Sequence, residues 1–482
     1  MHTEIAATLV APGWAARERR RSVAIAMLVV GVGLPLLMAL YVVVGGRSWV
    51  ALTLDREFLG LVVLVGCLGI AVRLAALVEV WLAAGRRRSL DRIETAAAVV
   101  AMVGLIAGSV AVVEVGRARA ALAPTFTATA GEPLFDPDRP VTSAPVESTA
   151  PVTTAAATTT STTRPDLEPR GGVGEIVVVT TTTTTLPPKP AQPDSGVSAA
   201  DLADVTTVLL LGGDAGPGRG GLRTDSMMLF SLHRPSGRAA LISIPRNLER
   251  LLFPPGSALE SSYPYGFGDI ANAVYPIVSS RGSLRDAYAV GDIRPGVVAI
   301  AQGIGYSLDV KIDDYVLVDM QGFLDLIDAI GGVTLTLTSA IPMPGNVPGA
   351  RTQYPDTIGP GVVQMDGSTA LGYARSRKGD NDYRRARRQR DLLAALAQQV
   401  SLTDVALSFG SVAAAIGGTL RTSLTPDELT ETLNVIGGET AIVESVGLVP
   451  PLVDVRRPDY DAMAKIVGAV HMALVTGASS GY

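Results

Sequence analysis

The sequence has few of the side chains on which most metal and nucleophile chemistry depends. Cys67 is the only cysteine among 482 residues, which excludes an internal disulfide and a zinc site built from cysteines. The three histidines, at positions 2, 233 and 471, lack the spacing of metal ligands. There is no G-x-S-x-G motif and no G-x-x-x-x-G-K-[ST] motif. Serine hydrolase chemistry and P-loop chemistry are therefore excluded.

An excess of positive charge is also missing. The formal net charge is −5 and the pI is about 5.4. Proteins that bind nucleic acid usually carry a basic surface, so we expect no nucleic-acid partner. A local basic cluster in an acidic chain instead indicates a discrete anionic ligand.

A glycine motif after the first strand of the globular region does not predict a dinucleotide site. Gly216, Gly218 and Gly221 match G-x-G-x-x-G. A Rossmann site requires a helix directly after the glycines, whereas here the strand-like MMLFSL follows. We therefore reject a dinucleotide-binding interpretation.

Three apolar runs near the N-terminus are long enough to cross a bilayer. They extend from Val23 to Val44, from Phe58 to about Val78 and from about Ile93 to Val113. Arginines precede the first run and fill the loop between the second and third. Because positive residues stay on the cytoplasmic side, residues 1–22 and that loop are predicted to be cytoplasmic. A multi-pass anchor over residues 23–116 in the cell membrane then places the C-terminal part of the chain outside the cytoplasm.

The composition changes sharply after the last apolar run. Residues 117–201 contain mainly Thr, Pro, Ala, Ser and Val, including an unbroken threonine run from Thr180 to Thr185. Such a segment cannot bury a core and is predicted to be a disordered extracytoplasmic linker. Residues 202–482 are long enough to fold as a domain without disulfides.

Short apolar strands predict that several polar residues meet at one sheet edge. The runs Met227 to Leu232 and Ala239 to Ile244 are joined by a turn and predict a hairpin, which makes Asp225 and Arg246 neighbours. The preceding strand ends at Asp214, and the loop after it returns to the same edge. Unbroken apolar strands that interleave with helices favour a layered α/β domain.

The stretch 371–389, LGYARSRKGDNDYRRARRQ, combines a basic loop with the start of an amphipathic helix. If the helix begins near Asp382, Arg385 and Gln389 share the face of Leu392. A guanidinium directed inward needs a buried carboxylate or a ligand phosphate. Two arginines, at positions 384 and 387, are predicted to face solvent. From this stretch alone, a ligand site and a structural ion-pair network are equally good interpretations.

Two carboxylates and a set of arginines form the candidate site. Asp214 and Asp225 are hard oxygen ligands of the kind that Mg²⁺ prefers, and guanidinium groups bind phosphate in a bidentate manner. The candidate arginines are Arg223, Arg246, Arg375, Arg377, Arg385 and Arg388. Together they predict a metal-assisted pyrophosphate clamp. The alternative is that the carboxylates only pair with the arginines.

The order of motifs resembles the LytR-CpsA-Psr family of cell-envelope glycopolymer transferases. The motifs are LLLGGD, RTDSMML, LISIPR, IANAVY, YVLVDMQGFLDLIDAIGGV and MDGSTALGYARSRKGDNDYRRARRQ, within residues 205–396. The resemblance implies a three-layer α/β/α domain around a mixed sheet, with an apolar groove for a prenyl chain. It also implies a membrane-anchored enzyme that moves a glycopolymer from a polyprenyl-pyrophosphate carrier onto peptidoglycan through a phosphodiester bond.

The resemblance also assigns roles to single residues. Asp214 and Asp225 would hold Mg²⁺. The pyrophosphate would be bound by Arg223, Arg246, Arg375, Arg377, Arg385, Arg388 and Gln389. Asn247 stands where the family has an acid, which weakens any role for a carboxylate there. The general base is left open between Asp382 and Asp225.

Two other functions fit the same residues. One is a non-catalytic binder or envelope regulator that senses lipid-linked precursors. The other is a polyprenyl-pyrophosphate pyrophosphatase, in which water replaces the sugar acceptor. Turnover would distinguish the first from the transferase, and product analysis with and without peptidoglycan would distinguish the second.

Overall fold

A computed structural model describes residues 56–84, 109–120, 122, 125–126, 132–139, 189–214, 222–347, 349–399, 417–436 and 442–482. The predicted cytoplasmic N-terminus and the first predicted span lie outside these residues. So do most of the third span and the arginine-rich loop before it. The glycine motif at positions 216–221 also lies outside them.

Two helices precede the domain. Helix α1 covers Arg56–Ala84 and helix α2 covers residues 109–120. A Cβ atom on Gly66 would lie 2.5 Å from Val112 Cγ2, so a glycine allows the two helices to approach closely. Within the described ranges, no helix combines the length and the hydropathy that a bilayer crossing requires. The three-span anchor therefore stays a prediction.

A mixed sheet forms the centre of the domain. Its strands are β1 (Val205–Gly213), β2 (Thr224–His233), β3 (Arg238–Ile244), β4 (Asp314–Asp319), β9 (Leu420–Thr422) and β10 (Ile442–Gly447). Their order is β10-β3-β2-β1-β4-β9. Pairs β1–β4 and β3–β10 are parallel, and the other neighbours are antiparallel. Met227 pairs with Ile244, which confirms the predicted hairpin.

Helices and smaller strands complete the described fold. The helices are α3 (Ala258–Ser262), α4 (Val274–Ser280), α5 (Gly282–Ala287), α6 (Pro295–Leu308), α7 (Met320–Ala329), α8 (Gly367–Arg375), α9 (Asp382–Gln399), α10 (Pro426–Ile436) and α11 (Tyr460–Thr476). The short strands are β5 (Val333–Leu337), β6 (Ile341–Pro342), β7 (Thr357–Ile358) and β8 (Gly361–Met365). They form two small antiparallel sheets, β5 with β8 and β6 with β7.

Both faces of the central sheet are covered, as its unbroken apolar strands predict. On one face, residues such as Leu209 and Leu229 pack with buried residues of α4, α6 and α11. On the other face, Val208 and Phe230 pack towards Leu393 of α9 and Leu429 of α10. This arrangement confirms the layered α/β architecture.

Local sequence signals explain where several helices begin. Helix α9 starts at Asp382, as predicted. At the start of α10, the Glu428 amide donates to Thr425 Oγ1 at 3.2 Å, and the Thr425 amide donates to Glu428 Oε2 at 2.8 Å. This reciprocal pair satisfies two backbone donors that would otherwise lack partners. The Asp459 side chain caps α11 in a similar way.

The structure describes folded residues near both ends of the predicted linker, 117–201. Near its start, Phe135 is only 4 % exposed and belongs to the main hydrophobic core. Near its end, the Ser195 amide and hydroxyl both donate to Asp309 Oδ2, at 2.9 and 2.7 Å. These contacts make both ends part of the folded domain, whereas the middle of the segment lies outside the described residues.

Candidate functional site

A cavity of about 480 Å³ lies between one face of the sheet and helices α7, α8 and α9. Its polar lining includes Asp214, Asp225, Ser226, Arg246, Arg375, Arg377, Arg385 and Gln389. Its apolar lining includes Leu210, Val316, Phe323, Leu326, Ile327, Leu371, Leu392, Leu393, Leu396 and Leu420. The cavity therefore offers a charged region and an apolar region to a single ligand.

The backbone returns to the sheet edge next to Asp214, as predicted. Asp214 follows the last residue of β1, where the register with β2 shifts between Gly212 and Gly213. The Asp214 amide donates to the Arg223 carbonyl at 3.0 Å, and the Arg223 amide donates to Asp214 Oδ1 at 2.9 Å. These two bonds place Asp214 beside the start of β2, where Asp225 lies.

Asp225 is held from two sides. Arg246 Nη1 lies 2.9 Å from Asp225 Oδ1, and Asn272 Nδ2 donates to the same oxygen at 3.0 Å. Burial alone would raise the pKa of Asp225, but the hydrogen bond and charge of Arg246, together with the bond from Asn272, lower it below the ordinary value. The carboxyl group is therefore ionised at neutral pH.

Asp382 is surrounded by three guanidinium groups. Its Oδ2 lies 3.2 Å from Arg246 Nη2, and its Oδ1 lies 3.0 Å from Arg377 Nη2 and 3.5 Å from Arg385 Nη1. One carboxylate thus links arginines from the loop after β3, the loop before α9 and α9 itself. A proton transfer to Asp382 would have to displace these ion pairs. The geometry therefore favours an organising role for this residue over the predicted role of general base.

Arg385 points inward, as its helical position predicts, and is only 7 % exposed. Its Nη2 donates to the Asp225 carbonyl at 3.0 Å. Its buried Nε has no hydrogen-bond partner among the described residues. Burial, opposed by the charge of Asp382, lowers the pKa of Arg385 to about 10. The guanidinium remains a cation at neutral pH and lines the cavity, where it can attract an anionic ligand.

Gln389 connects α9 to the strand that carries Asp225. Ser226 Oγ donates to Gln389 Oε1 at 3.1 Å, and Gln389 Nε2 donates to the Ala374 carbonyl at 3.2 Å. Both side-chain groups of Gln389 are thereby used within the protein. We expect it to position α8 and α9 at the cavity rather than to contact phosphate strongly.

Two of the predicted phosphate ligands are not part of the cavity lining. Arg388 is buried, donates from Nε to the Tyr373 carbonyl at 3.2 Å, and contacts Asp380 and the Ser376 carbonyl through its other nitrogens. Each of its three nitrogens is therefore engaged by the protein. Arg223 contributes its backbone to Asp214, while its residue is exposed. We leave both out of the proposed phosphate site.

The solvent-facing arginines are confirmed. The side chains of Arg384 and Arg387 are 75 % and 77 % exposed. Asn247, the residue that departs from the family pattern, has a buried Oδ1 without a partner in the described part of the chain. It lines a small depression next to Arg246 and Asp382.

Asn272 and Ser226 are site residues to which the sequence reasoning gave no role. Asn272 is 2 % exposed, and its backbone N–H donates to the Arg246 carbonyl at 3.1 Å. It lies in the motif IANAVY, directly before α4. A polar residue in the middle of an apolar motif is the signal that could have identified it, because a buried amide needs partners.

The two predicted metal ligands fit a magnesium ion that keeps part of its own hydration. Asp214 and Asp225 line the same cavity, and both supply carboxylate oxygens. No group of three acidic, histidine or cysteine side chains suited to a metal occurs among the described residues. The remaining coordination positions would thus belong to water and to phosphate oxygens of a ligand.

Comparison with curated proteins finds partial relatives. The chain is 25 % identical over 224 residues to Biofilm regulatory protein A of Streptococcus mutans, covering 45 % of this chain and 50 % of the relative. It is 26 % identical over 230 residues to the polyisoprenyl-teichoic acid–peptidoglycan teichoic acid transferase TagU of Bacillus cereus, covering 47 % and 63 %. The chain thus spans half to two thirds of the length of these relatives.

Two solved structures are similar to part of the chain. Bacillus subtilis TagV is 21 % identical with a TM-score of 0.41, covering 56 % of this chain and 97 % of that one. TagT bound to LIIa-WTA is 22 % identical with a TM-score of 0.41, covering 60 % and 97 %.

The family comparison extends over the sheet and the cavity. The model of the LytR_cpsA_psr family matches residues 179–448, which is more than half of the chain. The match includes β1 to β4, the arginines of α9 and both candidate metal ligands. The acidic residues and arginines that meet in the cavity therefore lie within a shared family domain, and the chain belongs to the LytR_cpsA_psr family.

Proposed function

We propose that this protein is an extracytoplasmic phosphotransferase that moves a glycopolymer from a polyprenyl-pyrophosphate carrier onto peptidoglycan. The observation that carries the proposal is the division of one cavity into a charged and an apolar region. A polyprenyl-pyrophosphate has the same two parts, an anionic head and a long apolar tail. Neither a free sugar phosphate nor a plain lipid would use both regions.

The charged region suits a pyrophosphate. Arg246, Arg377 and Arg385 converge on Asp382, and Arg375 also lines the cavity. Guanidinium groups in a partly buried site bind phosphate oxygens through strong charge-assisted hydrogen bonds. The Asp382 carboxylate keeps these cations together in the absence of substrate. An entering pyrophosphate would share their charge.

Mg²⁺ held by Asp214 and Asp225 would neutralise charge on the pyrophosphate oxygens. The protein supports this role by keeping Asp225 ionised and fixed between Arg246 and Asn272. The backbone amide of Arg223 fixes Asp214.

The reaction joins an acceptor hydroxyl to the phosphorus that carries the glycopolymer. The acceptor oxygen forms the new oxygen–phosphorus bond, and the bond to the bridging oxygen breaks. Prenyl phosphate leaves with that oxygen, and the acceptor hydroxyl passes its proton to a carboxylate, either Asp225 or Asp382. Of the two candidate bases, Asp225 faces the cavity, whereas Asp382 is engaged by three arginines. We therefore favour the side of the cavity near Asp225 for the attacking hydroxyl.

The relatives support the class of substrate. TagU is named as a transferase of teichoic acid from a polyisoprenyl carrier to peptidoglycan. A similar carrier is consistent with the two regions of the cavity here. The apolar runs before the domain further support a membrane-anchored protein with its domain on the outer side.

A transfer assay tests the proposal. The full chain in lipid nanodiscs would be mixed with a synthetic prenyl-pyrophosphate glycan, peptidoglycan and Mg²⁺, and the products separated by mass. We expect glycan attached to peptidoglycan and an equal amount of prenyl phosphate. Arg385→Ala should reduce the rate by about 10- to 100-fold, because a hydrogen bond to a charged group contributes roughly 1.5–3 kcal/mol.

Arg384→Ala is the matched control. It removes the same side chain one residue earlier, from the solvent face of α9, and should leave the rate unchanged. Equal rates for Arg385→Ala and the unmodified protein would disprove the assignment. Prenyl phosphate release without glycan transfer, even with peptidoglycan present, would instead identify a pyrophosphatase. Donor binding without any turnover would identify a non-catalytic binder.

A further inference from the structure

The chain that leaves helix α2 docks directly on the domain. We name residues 122–139 the strap, of which the structure describes 122, 125–126 and 132–139. Leu122 is 1 % exposed and forms a cluster with Leu59 of α1 and Ala118 of α2. Side chains of α7, of the residue that follows it, of β9 and of α10 pack against this cluster, namely Leu326, Ala329, Ile330, Leu420 and Leu429. The helix pair thus contacts the domain through an apolar seam.

Backbone pairing adds the strap to the edge of the central sheet. The Thr422 amide donates to the Thr125 carbonyl at 2.8 Å, and Phe126 forms a parallel bridge with Thr422 of the edge strand β9. A bridge between residues from neighbouring strands fixes both their separation and their direction. The strap is therefore held by backbone hydrogen bonding as well as by apolar contacts.

A second anchor point lies at Phe135. Its amide donates to the Ile312 carbonyl at 2.9 Å, and the Ile312 amide donates back at 2.8 Å. Its ring packs over Gly305 in α6, where an added Cβ would lie 2.1 Å from Phe135 Cδ1. Gly305 therefore provides the space that the ring occupies. Phe126 and Phe135 are the only aromatic residues of the segment 117–201, and both contact the domain.

The chain is also fixed where it returns to the described region. Lys189 Nζ lies 2.5 Å from Glu260 Oε1, and Ser195 bonds to Asp309. The residues between Arg139 and Lys189 consequently start and finish on the same domain. Their length does not determine how far the domain lies from α2.

The seam adjoins the apolar end of the cavity. Leu326 and Leu420 line the cavity and also pack against the Leu59 cluster. On the helix pair, apolar side chains remain exposed, with Leu64 64 % and Val113 50 % exposed. Residues 58–72 of α1 carry no charge. Apolar residues thus extend from the exposed side of the helix pair, through the Leu59 cluster, to the cavity wall.

We propose that the strap seats the domain on the membrane with the apolar end of its cavity towards the bilayer. The tail of a lipid carrier would then pass from the membrane into the cavity along the seam, without crossing water. The part about the tail depends on the lipid carrier of the proposed function but not on turnover, and the seating depends only on helices α1 and α2 lying in the membrane. The domain therefore rests against a lipid bilayer, and the ligand that passes along the seam is a polyprenyl chain.

Proteolytic cleavage between the strap and Lys189 tests the seating. A specific protease site would replace residues 153–160 of the full chain, and native membranes would be cleaved and washed. We expect the C-terminal fragment to stay with the membranes in buffer and to be released by 6 M urea, because the strap and seam hold it without a covalent link. Release of most of the fragment by buffer alone would overturn the proposal.

Phe135→Ala in the cleavable protein provides a second measurement. It should increase the fraction released by buffer severalfold, and resistance of the released fragment to a non-specific protease would show that the domain is still folded. If the variant does not fold, the cleavage result with the unmodified strap still decides the matter. An unchanged released fraction in a folded Phe135→Ala protein would contradict the role of the strap.

Photocrosslinking tests the path of the tail. A polyprenyl phosphate with a terminal diazirine, incorporated into the vesicles, should label peptides that contain Leu59, Leu326 or Leu420. Labelling confined to peptides on the opposite sheet edge, such as the one with Leu452, would overturn this part. Because neither experiment requires turnover, retention and labelling without glycan transfer would reject the proposed function and leave the inference intact.

Discussion

Asn272 Nδ2 lies 3.0 Å from Asp225 Oδ1, the oxygen that also accepts a hydrogen bond from Arg246. The backbone N–H of Asn272 donates to the Arg246 carbonyl, so one residue orients both Asp225 and Arg246. A buried asparagine directly before α4 therefore supports the acidic side of the cavity. It acts through Asp225 and is a positioning residue.

Asn272→Leu should slow transfer about tenfold, since a net hydrogen bond contributes roughly 0.5–1.5 kcal/mol. We expect kcat to decrease and the Mg²⁺ concentration that gives half the maximal rate to increase, because Asp225 loses its orientation. A titration of Mg²⁺ in the transfer assay measures both. A purely structural role would lower the melting temperature and leave the Mg²⁺ dependence unchanged. Asn346→Leu, in an exposed loop, is the control substitution.

Arg388→Met should destabilise the fold and spare donor binding. Arg388 and Asp380 form a buried ion pair, and removing one partner of such a pair costs about 3–5 kcal/mol. Chemical unfolding of the full chain in detergent would measure this loss, and titration with a labelled donor would measure affinity. Arg387→Met, one residue earlier and exposed, should change neither quantity.

Two outcomes separate a structural from a phosphate-binding Arg388. Adding Asp380→Asn to Arg388→Met should recover part of the lost stability, because the buried carboxylate is then uncharged. A variant with normal stability and donor affinity weakened by tenfold or more would restore Arg388 to the phosphate site.

Leu393→Trp should discriminate between donors by the length of their tails. Leu393 lines the apolar region of the cavity, and a larger ring there would occupy volume that a prenyl chain needs. Affinity for a long-chain donor should fall at least fivefold, while affinity for a short-chain analogue with the same head group should stay within twofold. Leu452→Trp, on an exposed loop, controls for the added ring. Equal losses for both donors would argue against an apolar tail site.

His471 should make the fold less stable in mild acid. Burial lowers the pKa of His471 to about 4, whereas the unfolded chain has the ordinary value of 6.5. The unfolded state therefore binds the proton more tightly, so the stabilising contribution is complete above pH 6.5 and is lost as the pH falls towards 4. Between pH 7 and pH 5, the free energy of unfolding should fall by roughly 2 kcal/mol from this group.

The comparison of the unmodified protein with His471→Gln isolates that contribution. An amide at this position keeps a partner for Ser231 Oγ, which lies 2.8 Å from His471 Nε2, but does not titrate. Asp314, whose pKa burial raises to about 6, titrates in the same range in both proteins and cancels in the difference. Parallel pH profiles for the two proteins would contradict the prediction.

Much of the site could be predicted because its geometry follows from short-range rules. The hairpin register places Asp225 beside Arg246, and helical periodicity places Arg385 inward and Arg384 outward. The contacts of Arg388 could not be predicted, because helical periodicity gives the direction of a side chain and not its partners. Its contacts with Asp380 and the carbonyl of Tyr373 come from the chain just before α9 and from α8. The role of Asn272 could not be predicted from local rules, because its partner Asp225 lies in a distant segment of the chain.

The docking of the strap on the domain could not be predicted for a different reason. Averaged composition describes residues 117–201 as unable to form a core, but single residues decide whether a segment docks. Phe126 and Phe135 are the two aromatic residues of this segment, and both contact the domain. Composition alone does not indicate that residues 170 to 300 positions later form the surface on which these two rings dock.

The pairing of Phe126 with β9 also affects how the isolated domain should behave. Strand β9 forms one border of the central sheet, and its backbone groups are met by residues 125–126. A soluble fragment that starts at residue 202 would leave this border open and would uncover the Phe135 site in the core. Open strand borders template association between molecules. Fragments that begin before Leu122 should therefore stay monodisperse at concentrations at which shorter ones aggregate.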